Sequence, residues 1–437
     1  MHGLKSTIVL LVALAGLAGY IYFVDSERTP GAEEAKEKAF AVSPETIEEV
    51  QIRNVAGESA RVQRIDTSWQ LVEPERADAD AVAVASITSS LANLEVQRVV
   101  DENPTDLTQY GLNPPRFEVV FRVKDHTEFQ RLLIGETTPT GGDLYAKTPD
   151  QNRVFLISSF LEATFNKNAF DFRDKSVLRF DSARVTGMDV TRGTETLQFT
   201  RTGVDWRIAK PVTGRADYGA VEGIMTRLSS AQMQKVVAAD AANLRQYGLD
   251  RPALTITLSG GESPATLLIG TMGDGGLYAK DASRPTVFTV EESLATDLRK
   301  ELTEFRRREL FDSRSFTTNR IELRRGEETL TFEKMTADGK DVWRNAAGAT
   351  VDTMKVEDML TALSNLRAQS FEATAHPSLK TPVVTATVRF DNDKTETVTV
   401  GRAGMDAFGS RPDEPGSARL DATVLDEVMK ALDGLKQ

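Results

Sequence analysis

Hydrophobic and polar residues alternate in short runs through the first third of the chain. Alternation with a period of two is typical of β-strands that bury one face. It predicts strands over 48–55, 60–65, 69–72, 117–123, 128–134, 144–147 and 153–157. Residues 82–94 instead show the helical period, and a second helix is predicted over 160–166, capped by Ser158 or Ser159. Strands punctuated by single helices are typical of an α+β fold with mainly antiparallel sheets.

The same pattern recurs along the chain. The three Trp residues are evenly spaced, since 206 − 69 = 137 and 343 − 206 = 137. Tyr110-Gly111-Leu112 returns as Tyr247-Gly248-Leu249, and RLLIGETTPTGGDLYAK returns as TLLIGTMGDGGLYAK. Such ordered self-similarity is the mark of tandem modules. We predict module one over 41–181, module two over 182–313 and module three over 314–437.

Module three is divergent. It keeps its Trp, a predicted helix over 356–366, and Phe408 at the position of Tyr145 and Tyr278. It has no Tyr-Gly-Leu, and Ala375-His376-Pro377 lies in that region instead. Terminal repeats are commonly atypical.

The first residues predict a membrane anchor. Residues 8–24 form an uncharged, apolar run, and this run is long enough to cross a bilayer as a helix. Lys5 precedes this run and Asp25 follows it, so the N-terminus is expected in the cytoplasm. We therefore predict an anchor over 1–25, a linker over 26–40, and a body outside the inner membrane. A cleaved signal peptide and a buried helix are the alternatives.

Composition narrows the chemistry. The 437 residues include no Cys, which excludes disulfides and thiol nucleophiles. The net charge is −12, so nucleic acid is not expected as a partner. The three His residues lack zinc-site spacing, and no phosphate loop or nucleophile elbow occurs. We therefore nominate no catalytic residue, cofactor or metal, although a triad assembled by the fold stays open.

Several motifs have both a structural and a functional interpretation. The Gly-rich loop 270–276 suits a hairpin turn better than a phosphate cradle, because a strand follows it. The three Trp residues suit core or inter-module packing. Arg306-Arg307-Arg308 suits a solvated helix face with ion pairs, or else an anion site. Tyr145, Tyr278 and Phe408 are the candidate surface contacts, and packing at a sheet edge is the alternative for these rings.

The ordered patterns W-x-[LI]-x-x-P, Y-G-L-x-x-P, L-L-I-G and G-[DG]-L-Y-A-K follow a short membrane segment. In this the chain resembles a bacterial family known as domain of unknown function 4340. The resemblance implies a membrane-anchored protein, often encoded beside ABC-type transport systems similar to the gliding-motility type. It implies no catalytic residue.

These features favour a non-enzymatic envelope binding or scaffold subunit, accessory to an ABC-type transporter or another envelope complex. An array of similar modules offers an extended surface for a partner. The alternatives are a periplasmic glycan- or lipid-binding protein that uses the tyrosines, and an enzyme whose site is assembled only in the fold.

Overall fold

A computed structural model describes residues 36–337, 340–391 and 393–436. The predicted anchor over 8–24 lies outside the described residues, as does the linker up to residue 35. Among the described residues, no helix has both the length and the apolar character needed to span a bilayer. The chain divides into two compact units, with the boundary between Lys175 and Ser176.

The first unit contains one nine-stranded antiparallel sheet with the strand order β4-β3-β2-β1-β6-β7-β8-β9-β5. Its strands are β1 (Ile47–Arg53), β2 (Ser59–Ile65), β3 (Ser68–Glu73), β4 (Ala77–Asp78), β5 (Arg98–Asp101), β6 (Phe117–Val123), β7 (Phe129–Thr137), β8 (Asp143–Lys147) and β9 (Val154–Ser158). Its helices are α1 (Ala81–Ala92), α2 (Leu161–Phe165) and α3 (Ala169–Phe172).

The second unit contains two further nine-stranded sheets with the same order of pairing. The sheet of module two comprises β10 (Gly187–Arg192), β11 (Glu195–Thr202), β12 (Asp205–Lys210), β13 (Gly214–Arg215), β14 (Lys235–Ala238), β15 (Leu254–Ser259), β16 (Ala265–Gly273), β17 (Gly276–Asp281) and β18 (Val287–Val290). Its helices are α4 (Tyr218–Ser230), α5 (Glu292–Leu298) and α6 (Leu302–Phe305).

The sheet of module three comprises β19 (Thr318–Arg325), β20 (Glu328–Ala337), β21 (Lys340–Asn345), β22 (Thr350–Val351), β23 (Ala368–Glu372), β24 (Val384–Phe390), β25 (Lys394–Ala403), β26 (Asp406–Ser410) and β27 (Ser417–Leu420). Its helices are α7 (Thr353–Ser364) and α8 (Ala422–Gly434). Where the first two modules close with two short helices, the third closes with the single helix α8.

Each sheet buries one face under its helices. In β6, Phe117, Val119 and Phe121 are fully buried and alternate with half-buried residues. Helix α1 places Val84, Ile87 and Leu91 in the same core. Burial of one face explains the period of two in the strands and the helical period between them.

The α+β prediction with three mainly antiparallel modules is confirmed. The three Trp residues are buried, with exposed fractions of 8%, 3% and 1% in chain order, so their prediction as packing residues is confirmed. A cation lies over each indole ring from the neighbouring strand: Arg64 over Trp69, Arg201 over Trp206 and Lys334 over Trp343.

Two local predictions are wrong. The cap residue of α2 is Phe160, not Ser158 or Ser159, and its side chain makes no capping hydrogen bond. The prediction also missed the edge strands β4 and β5, which have only 2 and 4 residues. Runs this short show no period, and β5 is partly exposed along its length.

Candidate functional site

The structure places each candidate surface tyrosine against a second tyrosine. In module one, Tyr110 and Tyr145 have ring centroids 5.1 Å apart. In module two, Tyr247 and Tyr278 have ring centroids 5.0 Å apart, at an interplanar angle of 67°. All four rings are half-buried. The Tyr-Gly-Leu motif and the loop tyrosine, which are far apart in sequence, therefore form one repeated aromatic pair.

Module three keeps the pair with different residues. His376 stacks on Phe408 with centroids 3.7 Å apart and an interplanar angle of 3°. Phe408 is only 5% exposed, so it does not offer the surface contact expected from its alignment with Tyr145 and Tyr278. Ser378 donates its backbone N–H to His376 Nδ1 at 3.3 Å, so His376 also caps the adjoining 3₁₀ turn.

A glycine explains why the aromatic pairs form. A Cβ on Gly135 would lie 2.0 Å from the carbonyl oxygen of Tyr110, and one on Gly270 would lie 2.1 Å from that of Tyr247. The Tyr-Gly turn thus rests directly on the strand, at an approach that only glycine permits. Gly401 plays this part in module three, where a Cβ would lie 2.4 Å from the carbonyl oxygen of Ser378. Tyr-Gly-Leu and L-L-I-G are the two halves of this contact.

The lysine of the Leu-Tyr-Ala-Lys motif is also structural. Lys147 donates to the carbonyl oxygen of Gln151, and Lys280 donates to that of Arg284. Burial lowers the pKa of both ammonium groups. Each lysine therefore stabilises the loop that follows its strand through this hydrogen bond.

The Gly-rich loop is a hairpin turn, as predicted. Gly273 pairs with Gly276 across the antiparallel strands β16 and β17. Gly275 and Gly276 both have positive φ, at 87° and 134°. The glycines therefore serve the turn conformation.

The structure reveals a buried ionic junction between modules two and three, which the sequence pattern did not indicate. Arg215 donates from Nε to Glu414 Oε1 at 2.6 Å and from Nη1 to Asp312 Oδ1 at 2.8 Å. Arg306 Nη2 lies 3.5 Å from Glu414 Oε2. The side chains of Arg215, Arg306 and Glu414 are each 9% exposed or less. We call these three residues the junction triad.

The basic triplet differs from its prediction as a solvated helix face. Helix α6 ends at Phe305, and Arg306 follows in extended conformation. Arg306 is buried, with its guanidinium 3.8 Å from the ring centroid of Phe371 in module three. Burial lowers its pKa, but an arginine stays cationic. Only Arg308 is exposed, and its backbone carbonyl accepts a hydrogen bond from Ala368.

A cleft of about 550 Å³ opens beside the junction triad. Its walls include Val204, Asp205 and Tyr218 from module two, and Asp391, Lys394 and Asp413 from module three. We call these six residues the junction cleft. The size lies within the range of small-molecule sites.

The arginines around the junction cleft have carboxylate partners. Arg307 reaches Asp312 at 2.9 Å, and Arg411 reaches both Glu396 and Asp413, at 3.0 and 2.9 Å. Burial of Asp413 acts to raise the pKa of its carboxyl, but the hydrogen bond and charge of Arg411, together with the charge of Arg215, outweigh burial and lower this pKa. These pairs leave the cleft with fixed charges and a defined shape.

Within the described part of the chain, no group of three or more His, Asp or Glu side chains is placed to hold a metal ion. The arrangement at the junction instead offers a shaped surface with exposed apolar and charged side chains.

The chain is therefore a tandem-repeat protein of three α+β modules, two of them joined by buried ion pairs. It belongs to the family described as Domain of unknown function (DUF4340), which matches residues 69–207 and 206–383, more than half of the chain. Each match runs from a tryptophan in the third strand of one sheet into the next sheet. No curated protein and no solved structure matched the chain.

Proposed function

We propose that this protein is a non-catalytic envelope subunit that binds a protein partner, as an accessory to an ABC-type transport system. The junction between modules two and three carries the proposal. A surface built from two modules holds its shape only if their relative orientation is fixed, and buried ion pairs are costly to separate. Arrays of modules with a fixed junction are typical of proteins that bind partners along a surface.

Affinity purification from native membranes tests this function. The full-length tagged chain is crosslinked, solubilised and purified, and the co-purifying proteins are identified by mass spectrometry. We expect stoichiometric recovery of the membrane or ATPase subunits of a transporter. Glu414→Gln, which weakens the junction, should lower this recovery, while Asp433→Asn at an exposed ion pair should not. Recovery of the chain alone would contradict the proposal.

We also propose that residues 8–24 anchor the chain in the inner membrane, with the N-terminus in the cytoplasm and the modules outside. The charge distribution around the apolar run supports this orientation. The chain has no Cys, so Met405→Cys introduces a single thiol at a side chain that is 92% exposed. A membrane-impermeant maleimide should label it in intact cells. Labelling only after lysis would contradict this topology.

A further inference from the structure

The junction cleft contains charges that the fold itself does not use. Asp205 and Asp391 are exposed, and within the described residues neither carboxylate has an ion-pair or hydrogen-bond partner. Lys394 is the corresponding cation, exposed and unpaired within the same residues. Of these three unpaired groups, two are carboxylates and one is an ammonium group.

An anionic ligand would fit this cleft poorly. Arg215 and Arg307 both hold Asp312, and Arg411 holds Asp413. Arg207, which also lines the cleft, lies 3.8 Å from Asp413. An incoming phosphate or carboxylate would therefore compete with Asp312 and Asp413 for these guanidinium groups. A cationic ligand meets the two unpaired carboxylates directly.

The cleft also exposes apolar surface. Val204 is 70% exposed and Tyr218 is 56% exposed, although neighbouring residues such as Trp206 are almost fully buried. Tyr218 is the first residue of α4 and directly follows the cap residue Asp217. An aromatic ring with a polar tip is well suited to contact an apolar side chain of a partner.

We propose that the junction cleft binds a short basic segment of a partner protein, in which apolar residues contact Val204 and Tyr218 and lysine or arginine side chains face Asp205 and Asp391. This inference rests on the proposed function and names the surface and the chemistry by which the partner is held. The overall charge of −12 would favour the approach of such a segment.

Peptide binding to the full-length protein tests the chemistry. The probe is a fluorescein-labelled ten-residue peptide of alternating lysine and leucine, followed by anisotropy at low salt. A matched peptide of alternating glutamate and leucine is the first control. We expect the basic peptide to bind and the acidic one not to bind. Equal binding of both peptides, or of neither, would overturn the proposal.

Charge variants test the location. Asp205→Asn with Asp391→Asn should weaken binding of the basic peptide about fivefold, the effect expected of two partly exposed ion pairs. Asp391 has a φ of 37°, and asparagine tolerates this region, so the fold should persist. Asp66→Asn with Asp125→Asn removes two charges from turns of module one and also keeps asparagine at positive φ. If this control pair weakens binding equally, general charge explains the effect and the site is wrong.

A crosslinking experiment separates failure of the site from failure of the function. A photoreactive amino acid at Val204 of the full-length chain is activated in native membranes, and the crosslinked peptide is sequenced. We expect it to be a basic segment of the co-purifying partner. If a partner co-purifies but is neither crosslinked from Val204 nor lost in the Asp205→Asn, Asp391→Asn variant, this site is wrong and the proposed function stands. If no partner co-purifies, the proposed function itself fails.

Discussion

Arg215 of module two donates a hydrogen bond of 2.6 Å to Glu414 of module three across a junction where both side chains are more than nine-tenths buried. The two residues are 199 positions apart in the sequence. Glu414 also faces Arg306, so this one buried carboxylate pairs with two guanidinium groups that are themselves buried. Specific hydrogen bonds and ion pairs therefore hold modules two and three in their relative position.

Glu414→Gln should therefore destabilise the second compact unit by about 3 kcal/mol, because it leaves buried guanidinium groups without full charge balance. Urea unfolding of the full-length chain, followed by circular dichroism, measures the change. Asp433→Asn is the control: Asp433 pairs with Arg325 at 2.8 Å, but the side chains are 59% and 43% exposed. Its effect should stay within about 0.5 kcal/mol. Equal effects would show that the junction is not energetically distinct from the surface.

The Arg411–Asp413 ion pair beside the junction should weaken in acid. Burial acts to raise the pKa of Asp413 in the folded protein, but the hydrogen bond and charge of Arg411 together with the charge of Arg215 outweigh burial and lower it. A carboxyl with a depressed folded pKa stabilises the fold above its unfolded value of about 3.9, and this contribution is lost as the pH falls through the folded value. The wild-type chain should thus be more stable than Asp413→Asn at pH 6, by less than about 1 kcal/mol because Asp413 is partly exposed. The difference should shrink below pH 4; a constant difference would contradict the assignment.

The repeat architecture could be predicted from the sequence because its causes are local. Burial of one face sets the period of two in β6, and the predicted bounds of that strand match the observed ones. The tryptophan spacing gives the length of the repeating module directly, since each indole occupies the same position in its sheet. Edge strands such as β4 are too short to show a period, and their pairing comes from tertiary contact.

The junction could not be predicted for a different reason. Arg306 belongs to a basic triplet that the sequence predicts to be solvated. No feature of the neighbouring sequence indicates that Phe371 and Glu414 cover its side chain. Glu414 lies in the divergent module, so no repeated motif marks it. The aromatic pairs are intermediate: both members lie in repeated motifs, with Tyr110 and Tyr247 137 positions apart and Tyr145 and Tyr278 133 positions apart. Their recurrence together was therefore a usable signal that they touch.

The close approach under the Tyr-Gly turn predicts a sharp effect of one methyl group. Gly270→Ala places a Cβ 2.1 Å from the carbonyl oxygen of Tyr247, so the turn must lift off β16. We expect a loss of about 2 kcal/mol. The matched control is Gly223→Ala in α4, where a Cβ meets nothing within 4 Å; there alanine should stabilise by about 1 kcal/mol through its helix propensity. Thermal unfolding of the full-length chain measures both, and stabilisation by Gly270→Ala would show that the turn is not docked.

A double-mutant cycle on the aromatic pair of module two can decide whether its rings serve packing. Tyr247→Ala and Tyr278→Ala each remove half of a contact with ring centroids 5.0 Å apart. If the pair stabilises the fold, the two changes should be non-additive, with a coupling energy of about 1 kcal/mol in urea unfolding. The control cycle combines Tyr278→Ala with Tyr110→Ala, whose partner is Tyr145, and should show coupling near zero. Additive effects in both cycles would contradict the packing role. In that case a ligand-binding role for the half-buried rings becomes the better explanation, to be tested by stabilisation of the wild-type chain with envelope glycans or lipids.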